Sequence, residues 1–244
     1  MQLIKLDATA STNGYLKSLV KEKQLEDFTV VICEHQTQGR GQKGNQWVSE
    51  KGKNLTISIL KKINSLEAHQ SFGLNCLVSL AVHDVLNELL IPKVKVKWPN
   101  DIMSGNKKLC GILIENSISG SQIKQSIIGI GLNVNQVNFS GFPNATSLRL
   151  RSGKDYDLEN VLNKILKRLK LYFEVVLPRG FEGLKNQYDR GLFRKDEWSK
   201  FSVPTDNSIL TGMIKGITTS GQLIIEVADR EVRAFNFKEI QMIY

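Results

Sequence analysis

Two periodicities share this chain: apolar and polar residues alternate in short runs, and between those runs apolar residues return at helical spacing. Residues 3–6 read as a strand. Ser11, Thr12 and Asn13 then supply cap chemistry for a helix running to about residue 23, with Tyr15, Leu16, Leu19 and Val20 on one side. Residues 28–34 are β-rich, and residues 54–60 set Leu55, Ile57 and Ile59 against Thr56 and Ser58 as another strand. Residues 67–90 make the longest helical candidate, which Pro92 stops. Val94 and Val96 lead into Trp98-Pro99-Asn100-Asp101, and residues 109–115 and 123–134 read as a hairpin turning at Ser119-Gly120-Ser121.

The pattern then changes. Residues 158–176 carry Val161, Leu162, Ile165, Leu166, Leu169 and Phe173 at the spacing of an amphipathic helix, and residues 183–188 fit a second one. From Phe201 onward short apolar runs are separated by turns at Thr205-Asp206-Asn207, Thr219-Ser220-Gly221 and Ala228-Asp229-Arg230, a small barrel-like β unit. The division expected is a main domain over residues 1–198 and a small one over residues 199–244, too short to be stable without leaning on its neighbour.

Composition narrows the class. With 244 residues, 41% apolar and 23% charged, the chain has the makeup of a globular protein rather than a disordered or fibrous one. No apolar run approaches the ~20 residues of a membrane span, and the first residues lack a secretory block, so a cytoplasmic location and no membrane partner are expected. Cys33, Cys76 and Cys110 are odd in number and set in apolar sequence, as buried thiols in a reducing compartment are. His35, His69 and His83 lack metal-pair spacing. The net charge of +9, from 33 Lys and Arg against 24 Asp and Glu, leaves nucleic acid, an anionic nucleotide or an acidic protein as partners. The lysines are dispersed, however, and no helix-turn-helix or RNP-like motif accompanies them.

The densest chemistry lies in Gly39-Arg40-Gly41-Gln42-Lys43-Gly44-Asn45-Gln46-Trp47, directly after the second strand. Its glycines match a dinucleotide fingerprint in letters, but that motif must open a helix, and here another strand follows. A P-loop would need lysine where Asn45 stands, and a kinase loop would need His-Arg-Asp and Asp-Phe-Gly segments that the chain lacks. What remains is a strand–loop–strand connection of about twenty residues, far above the usual four to six. Glycines admit backbone amides to an anion, and Arg40, Lys43, Lys51 and Lys53 supply charge, so the loop reads as a lid over a small anionic ligand.

Further segments fall into one order: Ser11-Thr12-Asn13, the glycine loop, Lys97-Trp98-Pro99-Asn100-Asp101, Lys108-Leu109-Cys110-Gly111-Ile112-Leu113-Ile114-Glu115 and Gly129-Ile130-Gly131-Leu132-Asn133-Val134-Asn135. In that order and with those spacings the chain resembles the biotin protein ligases. The resemblance implies an α+β fold, with a mixed sheet and flanking helices as in class II synthetases and biotin/lipoate ligases, and a small C-terminal SH3-like β-barrel. It implies a ligase that activates biotin with ATP to biotinyl-5'-AMP and then transfers biotin to a lysine of the biotin carboxyl carrier domain of a biotin-dependent carboxylase, with Mg2+ accompanying ATP. It allows a homodimer. Bifunctional relatives carry a DNA-binding helix-turn-helix ahead of this catalytic start, for which residues before Leu3 leave no room; the monofunctional type and no specific DNA binding are therefore expected.

Residue roles follow from the same resemblance. Ser11, Thr12, Asn13 and Gln36 match positions facing the biotin ring, and Gly39, Arg40, Gly41, Lys108 and Gly111 complete the biotin set. Arg40 and Lys108 match the cations that neutralise the biotin carboxylate and the α-phosphate, and Asp101 a magnesium-linked carboxylate that also helps to deprotonate the acceptor lysine. Trp47 matches the residue stacking on adenine, with Asn100 and Asn133 near the nucleotide. Two other readings stay open: a lipoate or octanoyl transferase of the same broad fold, and a noncatalytic biotin-binding regulator.

One departure generates a test. Relatives often carry further arginines in the loop, where this chain has Gln42 and Asn45. Less Coulomb attraction predicts faster loss of the adenylate, so Gln42→Arg should slow the escape of labelled biotinyl-AMP; equal escape from both proteins discards the idea.

Overall fold

The computed structural model describes residues 2–244; Met1 and the side chains of Lys43, Asn64, Ser65 and Asp229 lie outside the described residues, the loop cation Lys43 among them. Seven strands form the larger sheet: β1 (Leu3–Thr9), β2 (Val30–Gln36), β3 (Leu55–Glu67), β4 (Val94–Lys97), β5 (Asp101–Ser104), β6 (Lys107–Ser119) and β7 (Gln122–Leu132), in the order β1-β2-β3-β7-β6-β5-β4. Only β1 and β2 run parallel, joined across helix α1 (Thr12–Glu22); the other pairs are antiparallel, so the sheet is mixed, as expected.

Strand alternation splits the core between the two faces of this sheet. Leu55, Ile57, Ile59, Ile112, Ile128 and Ile130 face helix α2 (Phe72–Glu88), most of whose residues from Leu74 to Leu86 are buried in the main hydrophobic cluster. Each such side chain taken wholly out of water contributes about 1.5–3 kcal/mol relative to exposure. Helices α3 (Leu148–Ser152), α4 (Leu158–Leu171) and α5 (Phe181–Gly191) follow, with α4 and α5 packing on α2. On the opposite face Val31, Leu60 and Ile127 meet Leu16 of α1 in a smaller cluster that Tyr15, Leu19 and Val20 border, the side anticipated for them. That face has room left beside α1.

The hairpin at Ser119–Ser121 and the α1 cap at Ser11 form as read. Elsewhere boundaries move. The stretch read as one helix over residues 67–90 yields its first residues to the end of β3 and a 3-10 turn at Ala68–Gln70. The helix read to residue 176 stays α-helical to Leu171 and continues as a π turn, Tyr172–Val176. Strand β5, four residues long, has too few alternations to be read from pattern.

The remaining strands, β8 (Trp198–Val203), β9 (Ser208–Ile217), β10 (Leu223–Val227), β11 (Val232–Phe235) and β12 (Gln241–Ile243), pair antiparallel in the order β11-β10-β9-β8-β12, the SH3-like unit expected. This unit does lean on the rest: Phe201, Ile214, Leu223, Ile225 and Ile240 belong to the main cluster, and the Asp189 carboxylate of α5 accepts from Ile217 N at 3.0 Å.

Candidate active site

Two rungs of the larger sheet build the floor of the site. One runs Cys33, Thr56, Gly131, Gly111, Asp101 and Lys97 across six strands; the next runs Val31, Ser58, Gly129 and Leu113. Three of the central positions are glycine, so the backbone of β6 and β7 lies bare on the α1 face. Asn13 descends onto Gly129, where a Cβ would come within 2.5 Å of its Oδ1, and the Trp47 indole lies on Gly131, where a Cβ would overlap the ring. The glycine loop closes as a tight hairpin: Trp47 N donates to Gly39 O at 2.9 Å and Gly41 N to Asn45 O at 2.7 Å. A Cβ on Gly39 would land on the Trp47 carbonyl, which explains that glycine by packing.

A cavity of about 570 Å³ opens between this floor, the loop and the small domain. Ser11, Thr12, Asn13, Gln36, Arg40, Gly41, Trp47, Asn100, Asp101, Lys108 and Gly111 all line it, so nearly every residue singled out in the sequence converges there. Gly39 lines an adjoining cavity of about 590 Å³ behind the loop, to which Arg40 and Gly41 are common. Asn133 lines neither; its Nδ2 donates to Thr146 O at 3.0 Å, and its buried Oδ1 has no partner.

Where α1 begins, neutral side chains form a hydrogen-bonded patch. Ser11 caps the helix through Gly14 N. The Gln36 Oε1 accepts from Thr12 N at 2.8 Å and Thr12 Oγ1 at 3.1 Å, and the buried Ser58 hydroxyl stands 2.7 Å from Thr12 Oγ1 and 2.6 Å from Asn13 Oδ1. The rest of the lining is cationic: among the described residues it carries Arg40, Lys97, Lys108 and Lys238 against a single carboxylate, Asp101. Lys108 and Asp101 pair at 2.7 Å, and the ammonium sits 5.8 Å from the Trp47 ring centroid. A bulge explains how Lys108 reaches this face. Ile102 pairs with Cys110 but Met103 with Lys108, so Leu109 is an extra residue that turns Lys108 from the α2 side to the cavity side. Its charge is thereby met by Asp101 and by partial exposure, as a lysine beside apolar Leu109 requires. Arg40 makes no ion pair among the described residues and lies against Gly14 in the first turn of α1, two positive ends side by side. An anion between them would relieve both.

Asp101 has no acidic neighbour on this wall, and the described residues gather no group of three His, Cys, Asp or Glu that could hold a metal. The donor set does not fit a metal caged by protein; it fits a magnesium ion arriving on nucleotide phosphates with most of its waters. The three cysteines are free and buried, and burial pushes each thiol above its ordinary value, which leaves them inert at neutral pH.

Several contributors escaped the sequence reading. Ser58 was seen only as the polar half of an alternating strand. Phe237, Lys238 and Gln241 of the small domain close the far side of the cavity, where no motif marks them. Trp98 connects the two units, donating from Nε1 to Gly221 O at 2.9 Å and meeting Phe237 edge-on at 6.2 Å.

A bare-stranded mixed sheet carrying a cationic, loop-covered cavity defines the catalytic domain of a ligase that works on a small acid. Residues 6–133 match the model of the biotin/lipoate A/B protein ligase family, and the chain belongs to that family. It is 30% identical to a biotin--[acetyl-CoA-carboxylase] ligase of Mycobacterium tuberculosis over 95% of this chain and 85% of the relative. With the bifunctional ligase/repressor BirA of Bacillus spizizenii it shares 29% identity over 93% of this chain and 70% of the relative. Its structure is similar to the biotin protein ligase of Aquifex aeolicus in complex with biotin and ATP, with a TM-score of 0.82, 28% identity and coverage of 99% and 98% of the two chains.

The packing of the loop is open to test. Gly131→Ala should expel the Trp47 indole and loosen the loop, read as severalfold faster limited tryptic cleavage after Arg40. Unchanged cleavage in a folded variant would contradict the seating of Trp47 on a bare strand.

Proposed function

We propose that this protein is a biotin protein ligase: it condenses biotin with ATP to biotinyl-5'-AMP and pyrophosphate, then passes the biotinyl group to a lysine of a biotin carboxyl carrier domain, releasing AMP. The observation that carries this reading is the joining, in one cavity, of a neutral hydrogen-bonding patch and a lining with four cations to one carboxylate. Biotin has a neutral cyclic urea at one end and a carboxylate at the other, and the cavity offers partners to both.

We assign the urea ring to Thr12, Asn13 and Gln36, supported by their buried network, with Ser11 holding the helix start beneath them. Arg40 and Lys108 take the carboxylate and the α-phosphate. A carboxylate oxygen must attack phosphorus against two like charges, and cations fixed in place before the reaction lower that barrier most as charge builds in the transition state. Gly41 and Gly111 let backbone approach the anion closely. Asp101 is the side chain that would help to hold a magnesium ion accompanying ATP, which would supply charge neutralisation to the phosphates. Trp47 offers its ring to adenine and Asn100 flanks the nucleotide, while Asn133, outside the cavity lining, holds the Thr146 carbonyl from behind. Closing the loop keeps water from the anhydride.

In the second step the acceptor amine must lose a proton, because its usual pKa near ~10.4 leaves it charged at neutral pH. Asp101, the sole acidic side chain among the described lining residues, is assigned that proton. Residues 1–198 then form the catalytic domain and residues 199–244 a small domain closing its far side. The carrier domain is the protein partner, and a homodimer is compatible with this assignment. No helix among the described residues is long and apolar enough to cross a membrane; free buried cysteines support a cytoplasmic setting.

Biotin-dependent exchange of labelled pyrophosphate into ATP tests the reading, with lipoate and octanoate as controls for the transferase alternative. Biotin alone should support exchange. Lys108→Ala should lose most of it, about 10²-fold or more for a group that stabilises developing charge, and Arg40→Ala should weaken both formation and retention of the adenylate. Near-normal behaviour of both variants would refute the roles, and absence of exchange in the parent protein would refute the function.

A further inference from the structure

Behind the neutral patch of the cavity lies a second layer of polar contacts. Asn13, 3% exposed, donates from Nδ2 to Glu115 Oε2 at 2.9 Å and to Leu113 O at 3.3 Å, while its Oδ1 stands 2.6 Å from the Ser58 hydroxyl. Lys17 holds the other carboxylate oxygen of Glu115 at 3.4 Å. Neither Ser58 nor Glu115 lines the cavity; both act on residues that do.

The two ends of an asparagine amide are nearly alike in shape and opposite in hydrogen-bonding sense. A hydroxyl such as Ser58 accepts or donates and so tolerates either end. An ionised carboxylate only accepts. Glu115 at 2.9 Å, seconded by the longer contact to the Leu113 carbonyl at 3.3 Å, therefore admits the Nδ2 end alone and turns Oδ1 toward Gly129 and the cavity. Ser58 has one proton for two neighbours, Thr12 Oγ1 and Asn13 Oδ1, while Thr12 donates its own hydrogen bond to Gln36 Oε1. An amide oxygen accepts two hydrogen bonds, so whichever neighbour Ser58 serves, Asn13 Oδ1 keeps an acceptor position open. A ring N–H of a bound ligand fills that vacancy.

We propose that Glu115 is a positioning residue for ring selection: by fixing the polarity of the Asn13 amide it makes the site require an N–H donor from the ligand ring, as a cyclic urea provides. A ring offering only sulfur or hydrogen-bond acceptors leaves Asn13 Oδ1 unmatched. This inference rests on the biotin-ligase reading above and adds a residue that the cavity wall does not contain.

The test compares biotin with two analogues, each methylated on one ring nitrogen, in pyrophosphate exchange by wild type, Glu115→Ala and Glu115→Gln. Glu115→Ala should raise KM for biotin about tenfold, the scale of one hydrogen bond to a charged group, with KM for ATP and kcat moving less than about twofold. For one analogue the methylation penalty in KM should be large in wild type and severalfold smaller in Glu115→Ala, because a freed Asn13 no longer insists on that N–H. Glu115→Gln, nearly isosteric and the safer fold, offers both an acceptor and a donor end and should fall between the two in both readouts. A merely structural role would lower the melting temperature and shift biotin and ATP together while leaving the penalty unchanged. Equal penalties in wild type and both variants overturn the proposal while the ligase reading stands; failure of wild type to exchange with biotin at all removes the ligase reading, and this inference with it.

Discussion

The site exists because the sheet is bare where β6 and β7 pass beneath the glycine loop. Gly111, Gly129 and Gly131 remove side chains from adjacent rungs, and into that space come an asparagine from α1 and a tryptophan from the loop. Replace that backbone with alternating side chains and the α1 face would be an ordinary second core, like the Val31, Leu60 and Ile127 cluster a few residues away. The same alternation keeps the opposite face apolar and packed on α2, so the floor of the cavity is rigid although its surface is empty.

Neutral hydrogen-bonding groups collect where α1 begins, with the Arg40 guanidinium beside them, and the bulge at Leu109 brings Lys108 around to Asp101. Part of the +9 surplus of the whole chain is placed here, four cations to one carboxylate among the described lining residues. The small domain takes part in this arrangement. It shares the main core and places Lys238 on the cavity wall, and Lys97 donates to Tyr244 at 3.1 Å with its ammonium 4.4 Å from the ring centroid.

Much of the candidate site was legible in the sequence because its parts are local: a cap triplet, a glycine loop and three short motifs. The limits were those of locality. Ser58 belongs to the network only because β3 pairs with β7 in one register, setting it opposite Gly129, and no spacing within β3 reveals that. Lys108 reaches the cavity through a one-residue bulge that strand periodicity hides. Asn133 was expected at the nucleotide and instead spends its amide nitrogen on Thr146, with an oxygen left over. In the fold, helix ends shifted where a 3-10 or π turn extends the same apolar pattern, and β5 was too short to carry a period.

On the proposed reading, groups from the glycine loop and from separate strands converge to shelter a reactive acyl phosphate. A crystal structure with biotinyl-5'-AMP bound is the direct test. Arg40 and Lys108 should both lie within hydrogen-bond reach of the anhydride and phosphate oxygens, with the ring beside Asn13 and Trp47 against adenine. Arg40 and Lys108 pointing away from a common anion would contradict it.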